Sequence, residues 1–531
     1  MASRKTTAMV LATRDTASQP KSQRGLRRPV SRWLSDILRC LRCLRCLMLF
    51  VAIGIVTPRI TLAQQPSGLQ AAMALEQSLV RSIQKYERSV VAIARVRRPD
   101  NEADDPAALG PLAVPQLFAD GDSPAHPDFV PNEFGAGVVI DSDGLIMTTA
   151  HLLGDFQTSD YYVWLQHRPF KSTILAVDPW YDLAVLKIDT SDLVPVTFGD
   201  GRRLKKGQIV VALGNPYSIA RDGEVSASWG IVSNLRRRAP RIPRAAAELR
   251  GRPTLHHFGT LIQTDARLNI GYSGGALINL QGEMVGLTTS YAAGAGFDKA
   301  AGFAIPIDEN FQRVVELLKQ GQKPEYGFLG VETEQLAEEV RRAGQHGALV
   351  RRVLLGTPAD RAGLKAGDLI THIDGQQLFV TDDMIRLIAA RSPEMPAVLS
   401  VARGYQSGRA APREMSAILT KRYLHTIRPQ YGTAPEQTWR GMRVDYSTAS
   451  PDFAFLAAAF DPTNSVFVAD VAKESAAWNA GIRAGGYVTR VAGEKVVNPR
   501  SFHALVADIE ADVVLQMRTT QGTTRVRTVS P

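Results

Sequence analysis

Cysteine is almost missing from this chain: of 531 residues, only Cys40, Cys43 and Cys46 carry a thiol. Arginines interleave them and no fourth ligand completes their spacing, so no metal is expected there. Everything downstream must be held by packed cores rather than disulfides, whatever the redox state of its compartment. Long apolar runs are scarce as well. Residues 47–56 form a stretch of ten, too few to span a bilayer comfortably. Net charge is missing from the body of the chain. The first 63 residues hold twelve Lys/Arg against two Asp/Glu, which accounts for the whole +10 and leaves no electrostatic case for nucleic acid. Nucleotide signatures are absent too, since Ala292-Ala293-Gly294-Ala295-Gly296 follows no GxGxxG pattern. His256 and His257 are adjacent, so on a strand they would face opposite ways and could not chelate one metal. His167, after Val163-Trp164-Leu165, reads as a surface residue. No cofactor is expected.

What the N-terminus does contain is a basic leader. Thr61-Leu62-Ala63 puts small residues where a signal peptidase cuts, so residues 1–63 read as a secretory signal with an unusually long basic n-region. The alternative is an uncleaved anchor, the one route by which this chain would meet a membrane. The mature protein is expected to be exported from the cytoplasm.

Farther on, Gly271-Tyr272-Ser273-Gly274-Gly275 sets a serine among glycines, with His151 and Asp182 upstream. A serine hydroxyl becomes a nucleophile when an imidazole takes its proton and a buried carboxylate holds that imidazole in the right tautomer. The glycines let main-chain N–H groups of Gly271 and Ser273, with Tyr272 as a third, face a developing oxyanion. Val138-Val139-Ile140 and Leu145-Ile146-Met147 flank an Asp-Ser-Asp-Gly turn and predict a hairpin, with His151 leaving the end of its second strand. Asp182 opens the apolar run Leu183-Ala184-Val185-Leu186. Asp178 is the rival carboxylate, but Asp178-Pro179 reads as a turn, which favours Asp182.

These residues, with Val211-Ala212-Leu213-Gly214-Asn215-Pro216, Gly230-Ile231-Val232-Ser233 and Gly302-Phe303-Ala304-Ile305-Pro306, resemble the HtrA/DegP family of trypsin-like serine proteases over about residues 85–310. The chain departs from the family's Asn-Pro-Gly-Asn-Ser-Gly-Gly at Ile270 and Tyr272, both beside the oxyanion loop. The resemblance implies a double β-barrel, unfolded or damaged envelope proteins as substrates, cleavage after small or medium apolar residues, and a homotrimer or a higher assembly of trimers. It also implies that the loop at residues 97–134, rich in Pro, Asp and Ala, can reach an active site; a disordered insertion is the other reading. Residues 292–296 would then lie beside the specificity pocket, and Gly286-Leu287-Thr288-Thr289-Ser290 would pair with substrate main chain. Residues 69–86 show helical spacing, and the arginine-rich residues 236–252 read as a solvated surface.

Beyond Pro324 the texture changes. Phe328-Leu329-Gly330-Val331, then Gly363-Leu364-Lys365-Ala366-Gly367-Asp368, resembles a PDZ domain, with residues 328–331 as the loop that would receive a peptide's C-terminal carboxylate. A second copy is expected from Gly441-Met442-Arg443-Val444 onward, with Arg443 opposite Gly330 and Gly486 opposite Asp368. The expected fold is therefore mostly β: a leader (1–63), a trypsin-like double barrel (64–322), a first PDZ domain (323–424), a linker (425–437) and a second PDZ-like α+β domain (438–531). The expected activity is that of an exported serine endopeptidase. The alternative is a catalytically weak peptide-binding chaperone or scaffold that works through its PDZ modules.

Overall fold

The computed structural model describes residues 68–98, 131, 133–165, 168–191, 193–215, 225–239, 254–289, 302–404, 412–424, 429–453, 464–519 and 523–531. Residues 1–67 with the three cysteines, the expected leader among them, most of residues 97–134, His167, residues 240–252 and the glycine-rich residues 292–296 lie outside them.

A helix, Gly68–Tyr86, leads into the first barrel. Strands β1 (Val90–Arg97), β2 (Glu133–Asp141), β3 (Leu145–Thr148), β4 (Ser159–Leu165), β5 (Arg168–Asp178) and β6 (Leu183–Lys187) run β5-β4-β1-β2-β3-β6, and β6 returns to β5. The second barrel closes β7 (Ile209–Gly214), β8 (Ser226–Arg237), β9 (Leu261–Thr264), β10 (Ala276–Asn279), β11 (Met284–Thr289) and β12 (Gly302–Pro306) in the order β10-β11-β12-β9-β8-β7. The period-two side-chain alternation explains the layers. On β1, Val91 and Ile93 join Val139, Ile146, Val163 and Leu186 inside the first barrel. Val90 points the other way, into a cluster shared with Leu213, Ile278 and Leu287 of the second. The helix Glu309–Lys319 covers that shared cluster: Phe311, Val314, Val315 and Leu318 recur at helical spacing and are buried. Asp308 caps its start by accepting from Phe311 N, and Gly321 at φ +70 ends it.

Two six-stranded antiparallel sheets with the same strand order follow. In each, a longer helix packs on the core, Thr381–Ala389 in the first module and Pro499–Val506 in the second, beside a four-residue one, Pro358–Arg361 and Ala476–Asn479. The modules are joined by polar contacts. Lys421 reaches Glu325 at 2.9 Å and Asp445 at 2.8 Å. Burial works against the charge of Lys421, but the two carboxylates hold its pKa above the usual range. Glu394 of the first module accepts from Asn498 and Tyr446 of the second at 2.6 and 3.1 Å.

The segment expected as a linker is docked where it is described. Tyr431–Gly432 pairs with Val177 and Ala176, taking a stretch of β5 that β4 leaves uncovered. Two residues of extended backbone suffice for this, so no hydrophobic period announces it. The Tyr431 ring packs 5.2 Å from that of Phe156.

Candidate active site

β3 ends at Thr148 and the chain turns into a four-residue helix, Ala150–Leu153, so His151 stands on that helix rather than on the strand end. Asp182, 2% exposed, precedes β6. Both of its carboxylate oxygens serve His151: Oδ1 accepts from the backbone N at 2.9 Å and Oδ2 lies 2.8 Å from Nδ1. A carboxylate can only accept, so Nδ1 carries the proton and Nε2 presents its lone pair. Nε2 stands 3.2 Å from Ser273 Oγ, within reach of a general base.

Asp178 serves elsewhere. Its carboxylate, fully buried, accepts from Tyr326 Oη, from Gln430 Nε2 at 3.0 Å and from Trp180 N at 3.3 Å. Burial pushes its carboxyl up to about 6, against the lowering effect of those donors. The two carboxylates differ in position: one lies against the imidazole, the other against the start of the first C-terminal module and the segment that follows it.

The loop around Ser273 is fixed by backbone contacts. Gly271 has φ +99, and a Cβ there would run into the carbonyl oxygen of Asn215, whose N–H donates to Gly271 O at 3.2 Å. Ser273 O accepts from Ala136 N at 2.8 Å, which ties the second barrel's loop to the first barrel. The Tyr272 N–H donates to Asn269 O at 3.2 Å, so of the three expected amides this one is taken up within the loop itself. Its ring turns into the barrel. Tyr272 is buried with Val210, Leu277 and Val285 inside the second barrel, where a Cβ on Gly214 would strike it. Burial raises its phenol pKa. The departure from the family's asparagine is therefore absorbed by the core.

His256 and His257, weighed in the sequence only as metal ligands, stand on a short 3-10 turn, Leu255–Phe258, closed by Gly259 at φ +81. The turn is capped by Thr254, whose Oγ1 accepts from His256 N at 3.3 Å. His256 is fully buried; its Nε2 meets Tyr181 O at 2.7 Å and its Nδ1 meets Thr260 Oγ1 at 2.7 Å. Thr254 before the pair and Gly259 after it were the available signals, a cap and a left-handed terminator.

In the first C-terminal module, Gly327–Phe328 pairs with Thr420–Lys421, Leu329 is buried, and Val331 opens a strand, Val331–Glu334. Gly330, at φ +90, sits where a Cβ would strike Thr357, and its carbonyl accepts from Leu354 N at 2.9 Å. In the second module the matching residue is Gly441, not Arg443. Gly441 has φ +79, a Cβ there would strike Ser475, and its carbonyl accepts from Ala472 N at 2.8 Å. The register break after Glu332 in one sheet falls after Arg443 in the other, which fixes the same alignment. The sequence alignment was two residues off because it matched Val444 to Val331. The second loop is also closed: Trp439 and Met442 exchange both backbone hydrogen bonds at 2.8 Å, with Arg440 and Gly441 at positive φ between them.

Residues 135–287 match the trypsin-like peptidase domain and residues 327–410 the PDZ domain. A "Probable periplasmic serine endoprotease DegP-like" of Chlamydia pneumoniae is 28% identical over 396 residues, covering 72% of this chain and 73% of that protein. The protein so named in Marinomonas sp. is 30% identical over 393 residues, covering 73% and 76%. A solved structure titled "HtrA-type protease AlgW with decapeptide" shares 25% identity at a TM-score of 0.46, covering 65% of this chain and 99% of that one. Among the described residues, no helix is long and apolar enough to cross a membrane.

Proposed function

This chain belongs to the HtrA/DegP family of trypsin-like serine endoproteases with PDZ domains, and from that premise we propose that it cleaves polypeptides through His151, Asp182 and Ser273. Ser273 Oγ attacks the scissile carbonyl while His151 Nε2 takes its proton. Asp182 holds the resulting imidazolium. The N–H groups of Gly271 and Ser273 receive the oxyanion, each such donor contributing about 3 kcal/mol to transition-state stabilisation. The imidazolium returns its proton to the leaving amine, and the acyl-serine remains. Water, deprotonated by the same imidazole, then releases the acid and restores Ser273. One observation carries this reading: an unbroken line of contacts, 2.8 Å from Asp182 to His151 and 3.2 Å from His151 to Ser273.

The substrates are unfolded or damaged envelope polypeptides cut after small or medium apolar residues, and the working assembly is a trimer or a multiple of trimers. Residues 1–63 form the export leader, the protease occupies 64–322, and PDZ modules at 323–424 and 438–531 flank residues 425–437. The relatives named periplasmic support an envelope location. In the first module, Phe328, Leu329, Gly330 and Val331 receive a peptide's C-terminal carboxylate. The burial of the Tyr272 ring in the barrel core supports catalysis over the alternative of a catalytically weak peptide-binding chaperone or scaffold.

A serine-directed fluorophosphonate tests the reading. Label and casein cleavage should both be present in the wild type and both vanish in Ser273→Ala. Cleavage that persists in that variant would overturn it.

A further inference from the structure

The acid of the triad sits in a conformation that its own backbone disfavours. Asp182 has φ +60, the left-handed region that a residue with a Cβ enters only when its surroundings hold it there. Part of the hold comes from the histidine helix, where Ala150 N donates to Asp182 O at 3.2 Å. The rest comes from the other barrel. The turn Leu255–Phe258 takes the two carbonyls just ahead of Asp182: Leu255 N donates to Trp180 O at 2.9 Å, and His256 Nε2 donates to Tyr181 O at 2.7 Å. Tyr181 O belongs to the very peptide group whose nitrogen is that of Asp182. We propose that His256 is a positioning residue for catalysis, clamping the Tyr181–Asp182 peptide so that the Asp182 carboxylate faces His151.

The chemistry of the contact suits a clamp. A carbonyl only accepts, so Nε2 carries the proton and Nδ1 accepts from the Thr260 hydroxyl at 2.7 Å, which fixes the ring from behind. The ring also meets the Tyr181 ring edge-on, 5.4 Å between centroids at 83°. Ionisable groups facing it are Asp182, His257, His151 and the Tyr181 phenol. Burial, opposed by the attraction of Asp182, pulls the imidazole down to about 4, so the clamp is uncharged near neutral pH. A neutral donor with a set direction can be imitated by an amide, and this makes the inference testable.

The inference rests on the triad reading, and the experiment separates the two. Steady-state kinetics on a peptide substrate are measured for wild type, His256→Ala, His256→Gln, Thr260→Val and Ser273→Ala, with melting temperatures recorded alongside. In His256→Ala, kcat should fall about 10- to 100-fold, the scale of a catalytic group displaced by about an ångström, while KM stays within about twofold. The acid limb of kcat/KM should move to lower pH, because a displaced Asp182 stabilises the His151 imidazolium less. His256→Gln, whose amide can donate to Tyr181 O, should recover most of kcat, and Thr260→Val should lie between. Wild-type kcat and acid limb in His256→Ala, or a Gln variant no better than Ala, would overturn the clamp even if Ser273→Ala is dead. So would a loss that merely tracks the fraction unfolded. Activity surviving in Ser273→Ala would instead sink the triad reading on which it stands.

Discussion

Asp178 ends β5 and Asp182 follows four residues later in the turn to β6, yet their environments give them different tasks. Asp178 holds its proton up to about pH 6 because it is buried, whereas an unfolded carboxyl loses it near 3.8. Its contribution to stability is therefore complete below the unfolded value and disappears as pH rises through about 6. His256 works in the opposite sense: burial takes its folded pKa down to about 4, below the 6.5 of a free imidazole, so its contribution is lost as pH falls through that interval. Asp178→Asn should thus remove one of two opposing terms. Relative to wild type, its melting temperature should improve as pH is raised from about 5 to 7, which calorimetry at several pH values will read. The preference for Asp182 over Asp178 was legible because Asp-Pro marks a turn. The role of His256 was not, since the adjacent histidines invite only a test for metal chelation, and only Thr254 and Gly259 reveal the turn that points one of them at a carbonyl.

Elements carry the next level of constraint, and the loop before Ser273 is the most demanding. Gly271→Ala would place a methyl against Asn215 O at a left-handed φ. The peptide must then rotate, so kcat should fall by about 100-fold or more, the effect of losing one oxyanion donor, in an otherwise folded protein. Tyr272→Asn would restore the family's residue but strip a ring from the second barrel. It should cost about 3 kcal/mol in chemical denaturation, by analogy with large-to-small core changes. The barrels and the hairpin before His151 were legible because their strands alternate cleanly. The two-residue error in the second module arose because a glycine at positive φ, not the valine after it, anchors that loop. With the loop closed on itself, calorimetric titration of the full chain with a C-terminal peptide should give one site per chain, at the first module. Two sites would show that the Trp439–Met442 turn opens.

At the scale of the whole molecule, the modules themselves were legible in the sequence, but their mutual docking was not. Glu325, Lys421 and Asp445 lie in three separate segments, and isolated polar residues leave no period to read. Removing Lys421 would set two carboxylates face to face. Lys421→Ala should therefore split a cooperative thermal transition into two, with the second module melting first. The docked strand Tyr431–Gly432 was hidden for a related reason, since it borrows its order from β5.

The meeting of Tyr326 and Gln430 on one carboxylate has a mechanical corollary. The first C-terminal module leaves the barrels, and the segment after it comes back, at the same rivet, so the module cannot swing on a single tether like a bead on a string. Any tilt must tug both leashes together, and the rivet sits only four residues ahead of Asp182, which holds the His151 ring. On the proposed triad, a pull on that module would reach the reacting groups through a few covalent links, with no need for a long relay across the barrels.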